Sequence, residues 1–137
     1  MNITEAESLA FHHAWKRAKE AGIRAGEGIT PVPMCVVQRA DPLDDTSEII
    51  KRYEPVADGV CGFAWVNIRP NRGKFAAWLR QSHKAYPDDY AGGVTAFVNE
   101  HNQSMARKEE HARAMVASLR GEAILSRYTF HAGSRID

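Results

Sequence analysis

Amide and cationic side chains gather at three places in this 137-residue chain, each at the end of a predicted element. The first group is Asn67, Arg69, Asn71, Arg72 and Lys74. The second is Asn99, His101, Asn102, Gln103, Ser104, Arg107 and Lys108. The third is His131, Ser134, Arg135 and Asp137. Such residues suit an anionic, hydrogen-bond-rich molecule: guanidinium and ammonium groups hold negative charge, and amides both donate to and accept from polar edges. The free N–H groups of a helix start add to that attraction. Capping and solvation account for the first two groups without any ligand, and a frayed tail accounts for the third. The second group is the most informative, because Asn and Ser compete with the backbone for hydrogen bonds and are poor choices for a helix interior.

Covalent chemistry has weaker support. The sequence contains no GxxxxGK followed by Ser or Thr, no GxGxxG, no HExxH, no GxSxG and no zinc-finger spacing. Cys35, Cys61 and the six histidines are too scattered for a metal site to be read from spacing, so neither a metal nor another cofactor is expected. The carboxylate pairs Asp44–Asp45, Asp88–Asp89 and Glu109–Glu110 are sequence neighbours, whose side chains diverge. A base and nucleophile drawn from His101 or His131 with Ser104 or Ser134 requires a geometry that spacing cannot establish.

Composition narrows the classes further. A chain of this length at 44% hydrophobic and 26% charged residues reads as one domain with its own core. No apolar run is long enough to span a membrane, and no basic region precedes an apolar one near Met1, so no membrane association is expected. The two cysteines lie in apolar runs without CxxC spacing, which predicts buried, reduced thiols and a cytoplasmic protein. A net charge of +1 makes nucleic acid a weaker fit than a small anionic ligand. The charge is nonetheless uneven: residues 38–66 carry three bases against six acids, whereas residues 67–90 carry five against two.

The elements that must position these groups follow from periodicity and punctuation. Thr4 and Glu7 form a TxxE capping box, and Phe11, Ala14, Trp15, Ala18 and Ala21 make an apolar stripe, predicting a helix that Gly22 ends. Met34–Gln38 reads as a strand, central in its sheet. Residues 40–59 read as an exposed excursion with a short helix over Thr46–Tyr53. Val60–Ile68 is apolar on both alternating faces, which predicts an interior strand covered on both sides. Lys74–Ser82 reads as a helix, Tyr86–Gly93 as a turn region and Val94–Val98 as a strand. The longest helix is expected from Glu100 or His101 to Arg120, with Asn99 as N-cap, Gly121 as stop, and a polar first half projecting from the core. Leu125–His131 is the last predicted strand. The alternation predicts an α+β or α/β fold: a single sheet of about four strands with three main helices packed on it.

The segments VCGFAWVNIRP, FAAWL, VNEHNQSMARKEEHARA and HAGSRID resemble a family of small, uncharacterised proteins of tailed bacteriophages, especially those infecting actinobacteria. The resemblance spans roughly residues 55–137 and is most specific at Asn102, Gln103, Ser104, Arg107 and Lys108. It implies an infected bacterial cytoplasm and an accessory role against the host, and it brings no mechanism.

The leading expectation is a non-enzymatic binder of an anionic, nucleotide-like ligand, sequestering a host signalling or defence molecule. Arg69, Arg72, Arg107, Lys108 and Arg135 would meet negative groups. Asn67, Asn99, Asn102 and Gln103 would read polar edges, and Trp65 or Trp78 would stack on a base. Two alternatives stand beside it. One is an inhibitor that binds a host protein through the Phe11 and Trp15 helix or the acidic excursion. The other is a phosphodiester or nucleotide hydrolase using His101 or His131. A homo-oligomer is compatible with each.

Overall fold

The structure, a computed structural model, describes residues 2–137. Helix α1 spans Glu5–Gly28 and opens with the capping box, the Glu7 N–H donating to Thr4 Oγ1 and the Thr4 N–H to Glu7 Oε1, both at 3.1 Å. It runs on past Gly22. Gly22 and Gly26 lie one turn apart on the buried face, where a Cβ would collide with the rings of His111 and His101 respectively. These glycines serve close packing within the helix rather than its termination.

Strands β1 (Val37–Arg39) and β2 (Ile49–Arg52) form a separate antiparallel pair. The segment Met34–Gln38 is therefore not a central strand, and Thr46–Tyr53 is not a helix. The side chain of Asp44 accepts from both the N–H and the hydroxyl of Thr46, and Ser47 bonds back to Asp41, so a polar turn delivers the β-branched Ile49 and Ile50 to a strand.

The main sheet comprises β3 (Gly62–Arg69), β4 (Tyr86–Pro87), β5 (Val94–Phe97) and β6 (Thr129–Ile136), in the order β4-β5-β3-β6 with every pair antiparallel. With α2 (Lys74–Gln81) and α3 (Met105–Arg120) the fold is α+β. Ala64, Val66 and Ile68 of β3, Val94 and Ala96 of β5 and Phe130 of β6 face the helical layer. Phe75, Leu79, Leu119 and Phe130 are each fully or almost fully buried there, a contribution of about 1.5–3 kcal/mol apiece. Helix α1 packs outside α3 and reaches α2 through Phe11, whose ring lies 5.3 Å from that of Phe75 and 6.0 Å from that of Trp78. Phe11 and Trp15 are thus core residues and offer no surface to a partner.

Three further expectations are corrected. Strand β3 is interior, but its second side is covered only toward its end: Phe63 on that alternation is 36% exposed, whereas Asn67 is buried. Helix α3 begins at Met105 with Ser104 as N-cap, because His101 and Asn102 hold φ of 70° and 52°, a left-handed conformation no helix accepts. Its start does not project, since Lys108 and His111 are buried. The last strand runs over Thr129–Ile136, so His131, Ser134 and Arg135 are paired residues rather than a tail, and Leu125 belongs to a 3₁₀ turn (Ala123–Leu125). Both thiols are free, Cys35 exposed and Cys61 half-buried. No helix among the described residues is long and apolar enough to cross a membrane.

Candidate functional site

Five of the nine residues expected to bind ligand line one cavity: Asn99, Asn102, Gln103, Lys108 and Arg135. Its volume, about 670 Å³, is of the size that holds a nucleotide-like molecule. Aromatic rings from three strands complete it, Phe63 from β3, Tyr86 from β4 and Phe97 from β5, with His83 and Lys84 joining from the turn before β4. No acidic residue lines it among the described residues.

Each side chain is placed by a nearby backbone constraint. The Val98 N–H donates to the Ala64 carbonyl at 2.9 Å, extending the β5–β3 ladder to the threshold of Asn99. Beyond it the chain turns through left-handed His101 and Asn102, at a cost of about 1–2 kcal/mol for each. Three contacts offset that cost. The Gln103 carbonyl accepts from the Gly62 N–H at 3.0 Å, the Met105 N–H reaches the Val60 carbonyl at 3.1 Å, and Ser104 Oγ donates to the Asp58 carbonyl at 2.8 Å. The turn is thereby sewn to the start of β3, which leaves Asn102 and Gln103 on the cavity wall.

The cations are arranged around Phe63. Lys108 Nζ lies 5.8 Å from the ring centroid and Arg135 Cζ lies 5.7 Å from it, both within cation–π range. Arg135 is there because β6 pairs with β3 in the register Phe63↔Arg135. Lys108 is only 6% exposed, yet its ammonium meets a single carbonyl, that of Gly62 at 3.4 Å, and no carboxylate among the described residues. Neither Arg135 nor Lys84 has a carboxylate partner within ion-pair distance among the described residues. A lysine buried to this degree is ordinarily paired.

A polar network supports the turn from behind. His101 Nε2 lies 3.0 Å from His111 Nδ1, the rings meeting edge to face, and each imidazole fills the space over a glycine of α1. His111 is fully buried, and its Nε2 has no hydrogen-bond partner, standing 4.0 Å from Glu100 Oε1. Burial pushes its pKa down to about 4 and also lowers that of His101. Burial alone would raise the Glu100 carboxyl, but the hydrogen bond and charge of Lys19, 2.5 Å away, bring it below its ordinary value.

No family model, curated protein or solved structure matches this chain. Its chemistry is therefore read from the cavity itself.

The other four expected binders lie elsewhere. Asn67 is buried at the far end of β3, its Nδ2 donating to the Gly92 carbonyl at 2.8 Å and to Thr95 Oγ1 at 3.1 Å, while Arg69 Nε donates to its Oδ1 at 2.6 Å. These two residues satisfy each other. Arg107 follows the helix turn away from its neighbour Lys108, and its Nη1 donates to the Gly26 carbonyl at 2.9 Å, binding the end of α1. Arg72 lines a second cavity of about 640 Å³ with Lys74, Arg127 and Tyr128, but Glu7 also lines it and pairs with Lys74 at 2.8 Å. The serines proposed as nucleophiles are committed too: Ser104 caps α3, and Ser134 donates to Glu109 at 2.7 Å. Trp78 is core, whereas Trp65 lies on the sheet's uncovered side.

Phe63, Tyr86, Phe97, Lys84 and His83 were not among the expected residues. The signal that could have found two of these, Phe63 and Phe97, lies in the alternation itself: Phe63 and Trp65 of β3 and Phe97 of β5 are large rings on one alternation, and the other alternation alone already occupies the helices.

Proposed function

We propose that the protein binds an anionic, nucleotide-like molecule in the cavity at the start of α3, without transforming it. Lys108 carries the proposal: a buried cation, aimed at an acid-free cavity and lacking a carboxylate, calls for an anionic partner from outside the chain. Arg135 would share the negative charge, Asn99, Asn102 and Gln103 would take the polar edges, and the rings of Phe63, Phe97 and Tyr86 would accept a base. The hydrolase alternative built on His101 or His131 loses support because neither lines the cavity, where the one histidine among the described residues is His83. In an infected bacterium, the setting implied by the resemblance to phage proteins, such binding would withdraw a host signalling nucleotide from use.

Thermal unfolding across a nucleotide panel tests this. A ligand at about 100 times its Kd stabilises by about 2.7 kcal/mol, which for a chain of this size raises Tm by about 10 °C. The shift should vanish in Lys108→Met. Absence of a shift for every nucleotide at millimolar concentration, or its survival in that variant, would overturn the proposal.

A further inference from the structure

We infer that the natural ligand is a short single-stranded nucleic acid, whose chain leaves the cavity and crosses the uncovered face of the sheet. The inference rests on the cavity reading above and extends it. Register places the face residues in rows. One row holds Tyr86, Thr95, Asn67 and His131, of which Thr95 and Asn67 are buried; the next, more open row holds Phe97, Trp65 and Gly133; beyond them Phe63 stands opposite Arg135. Phe97 and Tyr86 are 54% and 57% exposed. Exposed rings on a flat antiparallel sheet are what unpaired bases stack on, because every base has a π-face.

Two details separate this face from an ordinary apolar patch. The indole of Trp65 lies over Gly133, where a Cβ would stand 2.5 Å from Cε2 and Nε1, so only glycine in that place lets the ring lie down on the sheet. It meets Phe97 at 6.1 Å, edge to face, so the ring row continues from Phe97 on the cavity wall to Trp65 just outside it. Cations outnumber acids on this side, where Asp137 follows two residues after Arg135 and bonds by its N–H to the Cys61 carbonyl. Arg135 and Lys108 flank Phe63, and Arg69 lies at the opposite end of the strand. Asp88 reaches the edge, but its carboxylate is taken up by the Thr95 hydroxyl and the N–H groups of Tyr90 and Ala91. Rings interleaved with cations fit a polyanion that carries bases. The overall charge of +1 conceals this, since the acids of residues 38–66 lie mostly on a different part of the chain.

Fluorescence anisotropy with labelled hexamers of thymidylate and of uridylate tests the inference, with the matching mononucleotides, a DNA duplex and heparin as competitors. The hexamer should bind more than tenfold tighter than the mononucleotide, exceeding the about sixfold gain that six equivalent registers supply. Trp65→Leu should weaken the hexamer by about 5- to 150-fold and leave the mononucleotide unchanged. His131→Asp, on an exposed position where folding is not at stake, should weaken the hexamer several-fold. With two or three phosphates neutralised, raising salt from 50 to 200 mM should cost about 7- to 18-fold. Mononucleotide binding with no gain for the hexamer would overturn the inference and leave the cavity reading standing; binding of neither would remove both. Equal competition by heparin or duplex, or indifference to both substitutions, would also overturn it.

Discussion

Acidification from pH 7 to pH 5 should weaken the fold through two contacting histidines, His111 above all. His111 is fully buried between α1 and α3, and its pKa in the folded chain is held down near 4. In the unfolded chain it takes up a proton near its ordinary value of 6.5. Between those values the unfolded state binds the proton and the native state does not, so stability falls with falling pH across this window and levels off below it. At 1.36 kcal/mol per unit, the loss by pH 5 is about 2 kcal/mol. Glu7, Asp88 and Glu122, whose carboxyls are held below their ordinary values by Lys74, by the Ala91 N–H and by Arg17 respectively, keep their contribution until the pH falls further. Urea unfolding at pH 7 and pH 5 measures the loss directly, and His111→Gln should be less stable at pH 7 but flatter across the window. Amide exchange of residues 99–104 should accelerate in parallel, because His111 anchors His101 and with it the strained turn. Equal pH dependence in wild type and His111→Gln would refute the reasoning.

Three other outcomes follow from the packing. Gly22→Ala, which in an ordinary helix gains about 1 kcal/mol, should instead destabilise by about 1–2 kcal/mol, since the new Cβ would stand 2.6 Å from His111 Cδ2 and the buried ring has nowhere to retreat; thermal melts decide the sign. Lys108→Met should raise stability by about 1 kcal/mol while abolishing ligand binding, and loss of both together would contradict the role given to Lys108. Asn67→Ala should cost about 2 kcal/mol by removing the amide that donates to the Gly92 carbonyl and to Thr95 Oγ1, measured by urea unfolding, with mononucleotide affinity unchanged.

The sequence is most legible where a local rule and the tertiary fold agree. The TxxE box of α1, the apolar stripe of α2, the glycine that ends α3 and the cores of β3 and β5 are all read correctly within a few residues. The misreadings arise where one residue type serves two physical ends. Gly22 carries the mark of a helix stop but is used for closeness to an imidazole. The polar residues 99–104 resemble a helix start because nothing local reveals that His101 and Asn102 adopt left-handed φ, which the His101–His111 contact and the Gly62–Gln103 bond sustain. Ile49 and Ile50 fit either state, and pairing with β1 decides. For the site, the amide cluster and Arg135 are legible by composition, but their meeting depends on the β3–β6 register. Arg107 and Lys108 show the limit most simply: alike in sequence, they part by one helical step, one to clasp α1 and the other to enter the cavity.

The register that brings Arg135 beside Phe63 carries a consequence for assembly. The two cations flanking that ring arrive from α3 and from a strand far downstream, so the pocket has no partial version: β6 must dock along β3 before it exists. Contacts between such distant stretches form late and slowly, after shorter-range structure is in place. Capacity to capture a ligand therefore marks completion of the whole architecture, and a chain that has formed its helices but not its closing strand would be blind to it.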